Sequence, residues 1–342
     1  MSVGDREPPG HRPTQADVAA RAGVSQTTVS QVLNRIETAS ITPATRRRVE
    51  AAARALGYEP NWTAKSLRSM RTQTIGFVIP DITNPFYPAL EQAVQRVVDG
   101  RDHGLLIANT DGIAEAERKC LGLLRQGRVD GLIGVFFHLS ARDLHPIATT
   151  GMPIVRLEAR RRRGGEWPLD NLFVDNRAAA RAATDHLLGR GHRSVAMITA
   201  EGGPGAERVA GYQLAMAEAG LQPMVIRASH YATTPGAHAM EEALRHAPRP
   251  TAVFAANDQL AIGALEATRD HGLRVPADVA IVGFDDIPMA RYVTPRLTTV
   301  RHFQDRVGER AAEMMFERLD GSFTGPARSE EHPFELIVRE SS

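Results

Sequence analysis

Asp17-Val18-Ala19-Ala20-Arg21-Ala22-Gly23-Val24-Ser25-Gln26-Thr27-Thr28-Val29-Ser30-Gln31-Val32-Leu33-Asn34 is the stretch on which the reading turns. Thr14, three residues ahead of Asp17, predicts a capping-box start to a helix that runs through Val18-Ala19-Ala20 and stops at Gly23. Ser25 caps a second helix whose Val29, Val32 and Leu33 fall on one face. Ala22-Gly23-Val24-Ser25 joins them through a turn in which glycine takes the left-handed conformation. The second helix then turns Ser25, Gln26, Thr27, Ser30, Gln31 and Asn34 outward. That face is polar, uncharged and short-chained, which suits hydrogen bonding to base edges; an ordinary solvated face is the alternative.

A third helix follows. Thr42 caps it, Pro43 occupies its first position, Val49, Ala52, Ala53 and Leu56 form its apolar stripe, and Gly57 ends it. Arg46, Arg47, Arg48 and Arg54 on this helix face either phosphates or solvent. Residues 13–60 are therefore expected to be a small helix–turn–helix domain. The tail 1–12, rich in Pro, Gly and charge, is expected to be disordered.

The charge distribution agrees with a special partner for this end. The 342 residues carry 41 Lys+Arg and 40 Asp+Glu, but residues 1–72 hold 11 basic and 6 acidic side chains, leaving 30 and 34 for the rest. The first segment is thus +5 and the remainder −4, which excludes a basic coating over the whole surface. The single cysteine, Cys120, excludes a disulfide framework and reads as a packed helix residue. No apolar run fits a signal peptide or a membrane span, so a cytoplasmic protein without membrane contact is expected.

From residue 73 to 342 the pattern changes to strand-like runs at 75–79, 105–108, 131–137, 154–157, 172–174, 195–199, 224–226, 251–255 and 279–284. Helical periodicity separates most of them, as at 88–98, 114–126, 177–189, 207–219 and 258–271. Repeated βα units build doubly wound parallel sheets, and this length predicts two lobes with a cleft between them. Ligands then collect at the carboxyl ends of the strands. Gly202-Gly203-Pro204-Gly205 lacks the third glycine of a dinucleotide fingerprint, and Lys65 and Lys119 do not follow glycine, so no phosphate loop is present. Arg160 to Arg163 reads as a solvated loop. No catalytic constellation, metal site or cofactor is expected.

The quoted stretch closely resembles the DNA-binding signature of the LacI/GalR (lactose-repressor/galactose-repressor) transcription factors. The resemblance continues through Thr45-Arg46, Leu56-Gly57-Tyr58-Glu59-Pro60-Asn61, Ile75 to Asp81, Asn84-Pro85-Phe86, Asn257-Asp258, Val282 to Asp286, Pro295 and Leu297 to Val300. It covers residues 13–340. It implies an N-terminal all-α helix–turn–helix domain followed by an α/β two-lobed domain like the periplasmic binding proteins. It implies DNA contacts from Thr14, Ser25, Gln26, Thr27, Thr28, Ser30, Gln31 and Asn34. It also implies a hinge at 61–72, where Asn61 and Ala64 lie on DNA and Leu67 wedges into the minor groove; an apolar wedge there kinks the duplex. Gln31 departs from the family's usual Arg, and the segment 35–43 is longer than in the family's type member.

In the lobes the same resemblance implies ligand contacts from Asp81, Asn84, Phe86, Glu158, Arg208, Tyr231, Asn257, Asp285 and His302. Three carboxylates, one Arg and one Asn suit the hydroxyls of a neutral sugar, with a nucleobase or nucleoside next. The whole is expected to be a repressor, acting as a homodimer on a near-palindromic operator under the control of a small-molecule effector. Without a heptad tail after 335–338, a dimer is favoured over a tetramer. A sugar-binding transport protein is the alternative from another class.

Overall fold

A computed structural model of the chain describes residues 13–33, 41–58, 71–124, 126–158 and 169–342. The expected tail 1–12, Asn34, the hinge residues Asn61, Ala64 and Leu67, the arginines 160–163 and the side chain of Glu158 lie outside the described residues. The chain divides into two compact units, residues 1–72 and residues 73–342.

Among the described residues the first unit holds three helices, α1 Gln15–Ala22, α2 Gln26–Leu33 and α3 Pro43–Leu56. Each starts on a hydroxyl. The Thr14 backbone N–H donates to the Asp17 carboxylate at 2.7 Å while the Asp17 N–H donates back to Thr14 Oγ1 at 3.4 Å. Ser25 Oγ accepts from the Thr28 N–H at 3.1 Å, and Thr42 Oγ1 from the Thr45 N–H at 3.2 Å. Caps of this kind are worth about 1 kcal/mol each. Val18, Val29, Val32, Val49 and small alanines close the core between the helices. Gly23 sits at φ 62° in the α1–α2 turn, a conformation that a side chain resists.

The second unit has two lobes. The first is built from β1 Thr74–Ile79, α4 Phe86–Asp99, β2 Gly104–Asn109, α5 Ala114–Leu124, β3 Gly131–Val135, α6 Ala141–Ala148, β4 Ile154–Glu158 and β5 Leu169–Phe173. The chain then crosses into α7 Asn176–Gly189, β6 Val195–Thr199, α8 Gly205–Glu218, β7 Met224–Arg227, α9 Thr233–Leu244, β8 Ala252–Ala255, α10 Asp258–Asp270, β9 Ala280–Asp285 and β10 Thr298–Arg301. It returns to the first lobe with α11 Gln304–Leu319 and β11 Ser329–Glu331, and crosses again to end on β12 Glu335–Ile337.

The two sheets run β11-β5-β4-β3-β1-β2 and β12-β10-β9-β8-β6-β7. They share one strand order, although no internal repeat is visible in the sequence. All neighbouring strands are parallel except β12, which is antiparallel to β10. Parallel strands are covered on both faces, which is why β6, β8 and β9 are buried along their whole length. Helix α11 belongs to the first lobe, where Val307, Ala311 and Met315 pack with Leu90 and Val94 of α4. Gly308 permits the approach, since a Cβ there would stand 2.6 Å from the Leu90 carbonyl.

Three strands depart most from what their sequence announces. The run 131–137 stops pairing at Val135, because the N–H groups of Phe137, His138 and Leu139 turn to the buried carboxylate of Glu117, at 2.7–3.1 Å. Strand β5 starts at Leu169, ahead of the apolar run, because the buried Asp170 and Asn171 find arginine partners. Strand β11, Ser-Glu-Glu, carries no apolar signal at all and is held by pairing with β5.

Candidate functional site

Two surfaces concentrate functional chemistry, one in each unit. On α2, Gln26 and Thr27 are exposed and Ser30 and Gln31 half-buried. At 3.6 residues per turn these four span about 140° of the helix, opposite Val29 and Val32. No charged residue lies on α2. The Ser25 and Thr28 hydroxyls are engaged with each other at 2.9 Å, so they stiffen the helix start while Gln26 and Thr27 are presented. Thr14 is exposed at the start of α1, and Arg47, Arg48 and Arg54 are exposed on α3.

In the second unit a cleft of about 820 Å³ opens at the carboxyl ends of the parallel strands. Eight of the nine residues expected to meet a ligand line it: Asp81, Asn84, Phe86, Arg208, Tyr231, Asn257, Asp285 and His302. Their positions follow from the topology. Asp81 and Asn84 follow β1, Phe86 opens α4, Arg208 lies in the first turns of α8 and Tyr231 follows β7. Asn257 caps α10 after β8, Asp285 ends β9, and His302 follows β10.

Arg208 is the electrostatic centre. Its guanidinium is 5% exposed, donates to Asn176 Oδ1 at 2.8 Å and to the Ala256 carbonyl, and reaches Asp285 Oδ1 at 3.5 Å. It lies 3.7 Å from the centre of the Phe284 ring. Burial disfavours the Asp285 carboxylate more than Arg208 supports it, so its pKa is pushed up to about 7. Burial, and then the neighbouring Asp285, also raise Asp258 well above the ordinary carboxylate range. Asp258 is nevertheless satisfied, by the Thr299 hydroxyl at 2.6 Å and the Ile287 N–H at 2.9 Å. Gly283 leaves the space for it, since a Cβ there would collide with Asp258 Oδ1.

His302 occupies a crossing between the lobes, edge-on to Phe86 of one and Phe284 of the other, at 5.8 and 4.6 Å between ring centres. It is 5% exposed, and its Nε2 has no hydrogen-bond partner among the described residues. Burial, with Arg208 nearby, keeps the imidazole neutral. An unpartnered buried nitrogen costs about 1–3 kcal/mol unless something supplies a partner. In a cleft wall that something is a ligand or a water.

Several expected contacts have structural duties as well. One Asp81 oxygen accepts from the N–H and hydroxyl of Thr83. Asn84 and Asn257 cap local turns through Oδ1, to the Phe86 and Leu260 N–H groups. Tyr231 commits its hydroxyl to the Ala200 carbonyl at 2.9 Å, which leaves its ring for contact. Tyr87, Asn176, Phe137, Asp111 and Glu201 also line the cleft and are absent from the sequence-based set. Asp111, Asn176 and Glu201 carried a readable signal, as polar residues just past strand ends, while Tyr87 and Phe137 did not.

Residues 14–61 match the model of the bacterial regulatory proteins of the lacI family, and residues 184–342 that of the periplasmic binding protein-like domain. The ribose operon repressor of Escherichia coli (strain K12) is 36% identical over 317 residues, 90% of this chain and 93% of that protein. The chain belongs to the lacI family of bacterial regulatory proteins. Among solved structures, the Lac repressor dimer bound to operator and the anti-inducer ONPF is 26% identical, with a TM-score of 0.82 over 97% of this chain and 99% of that one. The complex of the transcriptional regulator CelR with cellobiose is 31% identical, with a TM-score of 0.70 over 97% and 100%. This lacI-family protein is thus a DNA-binding transcriptional regulator with a helix–turn–helix and an effector-binding domain. Among the described residues no helix is long and apolar enough to cross a membrane.

Proposed function

We propose that this regulator is a cytoplasmic, homodimeric repressor whose hold on a near-palindromic operator is set by a neutral sugar in the interlobe cleft. The charge balance of the cleft wall carries this reading. Asp81, Asp111, Glu201, Glu207 and Asp285 line the cleft against one guanidinium, Arg208, which is already bonded to Asn176, the Ala256 carbonyl and Asp285. A phosphate or carboxylate finds no uncommitted cation among those residues. Hydroxyls that donate to carboxylates and accept from an imidazole fit it well. The aromatic side chains Phe86, Phe173 and Tyr231 supply apolar faces for the ring carbons.

The coupling is thermodynamic. A ligand that binds one arrangement of the lobes better alters DNA affinity by the same factor as DNA alters ligand affinity. The test is a thermal-shift panel on the full chain, with neutral sugars, sugar phosphates, nucleosides and nucleobases. A ligand at 100 times its Kd stabilises the native state by about 2.7 kcal/mol. Hits among neutral sugars are expected; hits confined to phosphates or purines overturn the assignment.

In the DNA-reading unit, α2 is assigned to the major groove, with Gln26 and Thr27 as the exposed readers. Replacing both by alanine is expected to relax operator choice at the contacted base pairs, by about 1–3 kcal/mol per lost contact. Binding selection from a randomised operator library reads this directly. An unchanged preference removes α2 from the groove.

A further inference from the structure

We infer that Phe137 governs effector binding by latching the cleft shut, a role that rests on the cleft being the effector site. Phe137 stands in the β3–α6 connection of the first lobe. Its ring lies against Gly202 and Gly203, which follow β6 in the second lobe. A Cβ added to Gly203 would lie 2.6 Å from Cε1 of that ring, and one added to Gly202 would lie 3.5 Å from Cδ2. On its own side the ring abuts Gly112, whose Cβ would lie 3.2 Å away. The aromatic ring is thus seated on bare backbone across the mouth of the cleft. Both glycines of the seat have positive φ, 84° and 53°, which side chains resist.

The ring is presented on a fixed base. The buried carboxylate of Glu117 accepts from the N–H groups of Phe137, His138 and Leu139. The His138 ring is tied to the Gly112 carbonyl at 2.7 Å. Three hydrogen bonds to one carboxylate hold this loop to the first lobe, so separation of the lobes breaks the contact at the glycines and leaves the loop intact. The contact is apolar and works through burial of ring surface. Closing the lobes makes it and opening them loses it, which stabilises whichever arrangement encloses the ligand. Phe137 is therefore a positioning residue, one that acts by setting the separation of the lobes.

The test measures that separation in the full chain without ligand. In a Cys120→Ser background, spin labels are placed at Arg142→Cys on α6 and Gln213→Cys on α8, both exposed and in different lobes. Double electron–electron resonance then reports the distance distribution. Phe137→Ala is expected to raise the long-distance population several-fold, and Phe137→Leu, which keeps most of the apolar contact, to give an intermediate result. Far-ultraviolet circular dichroism identifies any variant that fails to fold, and Phe137→Leu then decides. Distributions that superimpose for parent and folded variants overturn the latch. Repeating the measurement with D-ribose or cellobiose is expected to restore the short distance in any variant that binds the sugar. A ligand panel without hits damages the sugar reading alone, because the distances are measured without ligand.

Discussion

An Asp170→Ala protein is expected to lose about 3–5 kcal/mol of unfolding free energy, the largest stability effect of any single substitution considered for this regulator. Asp170 is 0% exposed on β5. Arg318 of α11 donates to it from Nε and Nη2 at 3.1 and 2.7 Å. Arg328, just before β11, donates from its backbone N–H, Nε and Nη2 at 2.8, 3.1 and 2.8 Å. Burial alone would raise the carboxyl pKa, but these donors outweigh it and hold the pKa below the ordinary range. The carboxylate ties β5 to the two segments by which the chain returns to its first lobe, α11 and the residues leading into β11. Removing it leaves the buried Arg318 guanidinium without an anion and Arg328 with Glu317 alone, a state costlier than an apolar core of the same shape. Urea denaturation followed by circular dichroism measures the loss. A loss below about 1 kcal/mol would place the cluster with solvated surface pairs. The sign with pH follows from the lowered pKa: the contribution is present above the unfolded value and disappears as pH falls through the folded one.

That cluster also marks where the sequence stops being legible. The strands β1, β6, β8 and β9 are readable because parallel strands covered on both faces need unbroken apolar runs. The helix starts at Thr14, Ser25 and Thr42 are readable because each cap is a local hydrogen bond within three residues. Asp170 and Asn171 break the apolar pattern of β5, and the arginines that permit them, Arg156, Arg318 and Arg328, are remote in sequence or on other elements. The same holds in the cleft. Strand-end positions such as Asp285 and Asn257 can be matched by motif, while Phe137 and Glu117 act through a pairing of loop and helix 20 residues apart that no local pattern announces. Helices α6 and α9 escape the periodicity reading for a related reason. Pro146 sits inside one and Pro235-Gly236 opens the other, and tertiary packing overrides those weak local preferences.

Asp285 gives the largest expected effect on ligand binding. Its pKa of about 7, raised by burial, means that a substantial share of the free protein holds a proton there at neutral pH. Because the folded value lies above the unfolded one, the ligand-free protein should lose stability as pH rises from about 4 to about 7, and little beyond. Ligand binding should run the other way. A sugar hydroxyl that donates to Asp285 needs the ionised form, so binding must release the proton when the pH is low. Affinity for the sugar identified by the panel is expected to rise on the order of tenfold or more from pH 5.5 to 8.5, approaching a plateau above the free-state pKa. Titration calorimetry at pH 6 in two buffers of different ionisation enthalpy should show net proton release, and Asp285→Asn should bind weakly with neither the release nor the pH dependence. Equal affinity for the parent across that range would mean that the ligand does not use the carboxylate. Proton release surviving in Asp285→Asn would move the titrating group to the neighbouring buried carboxyl of Asp258, the next to replace.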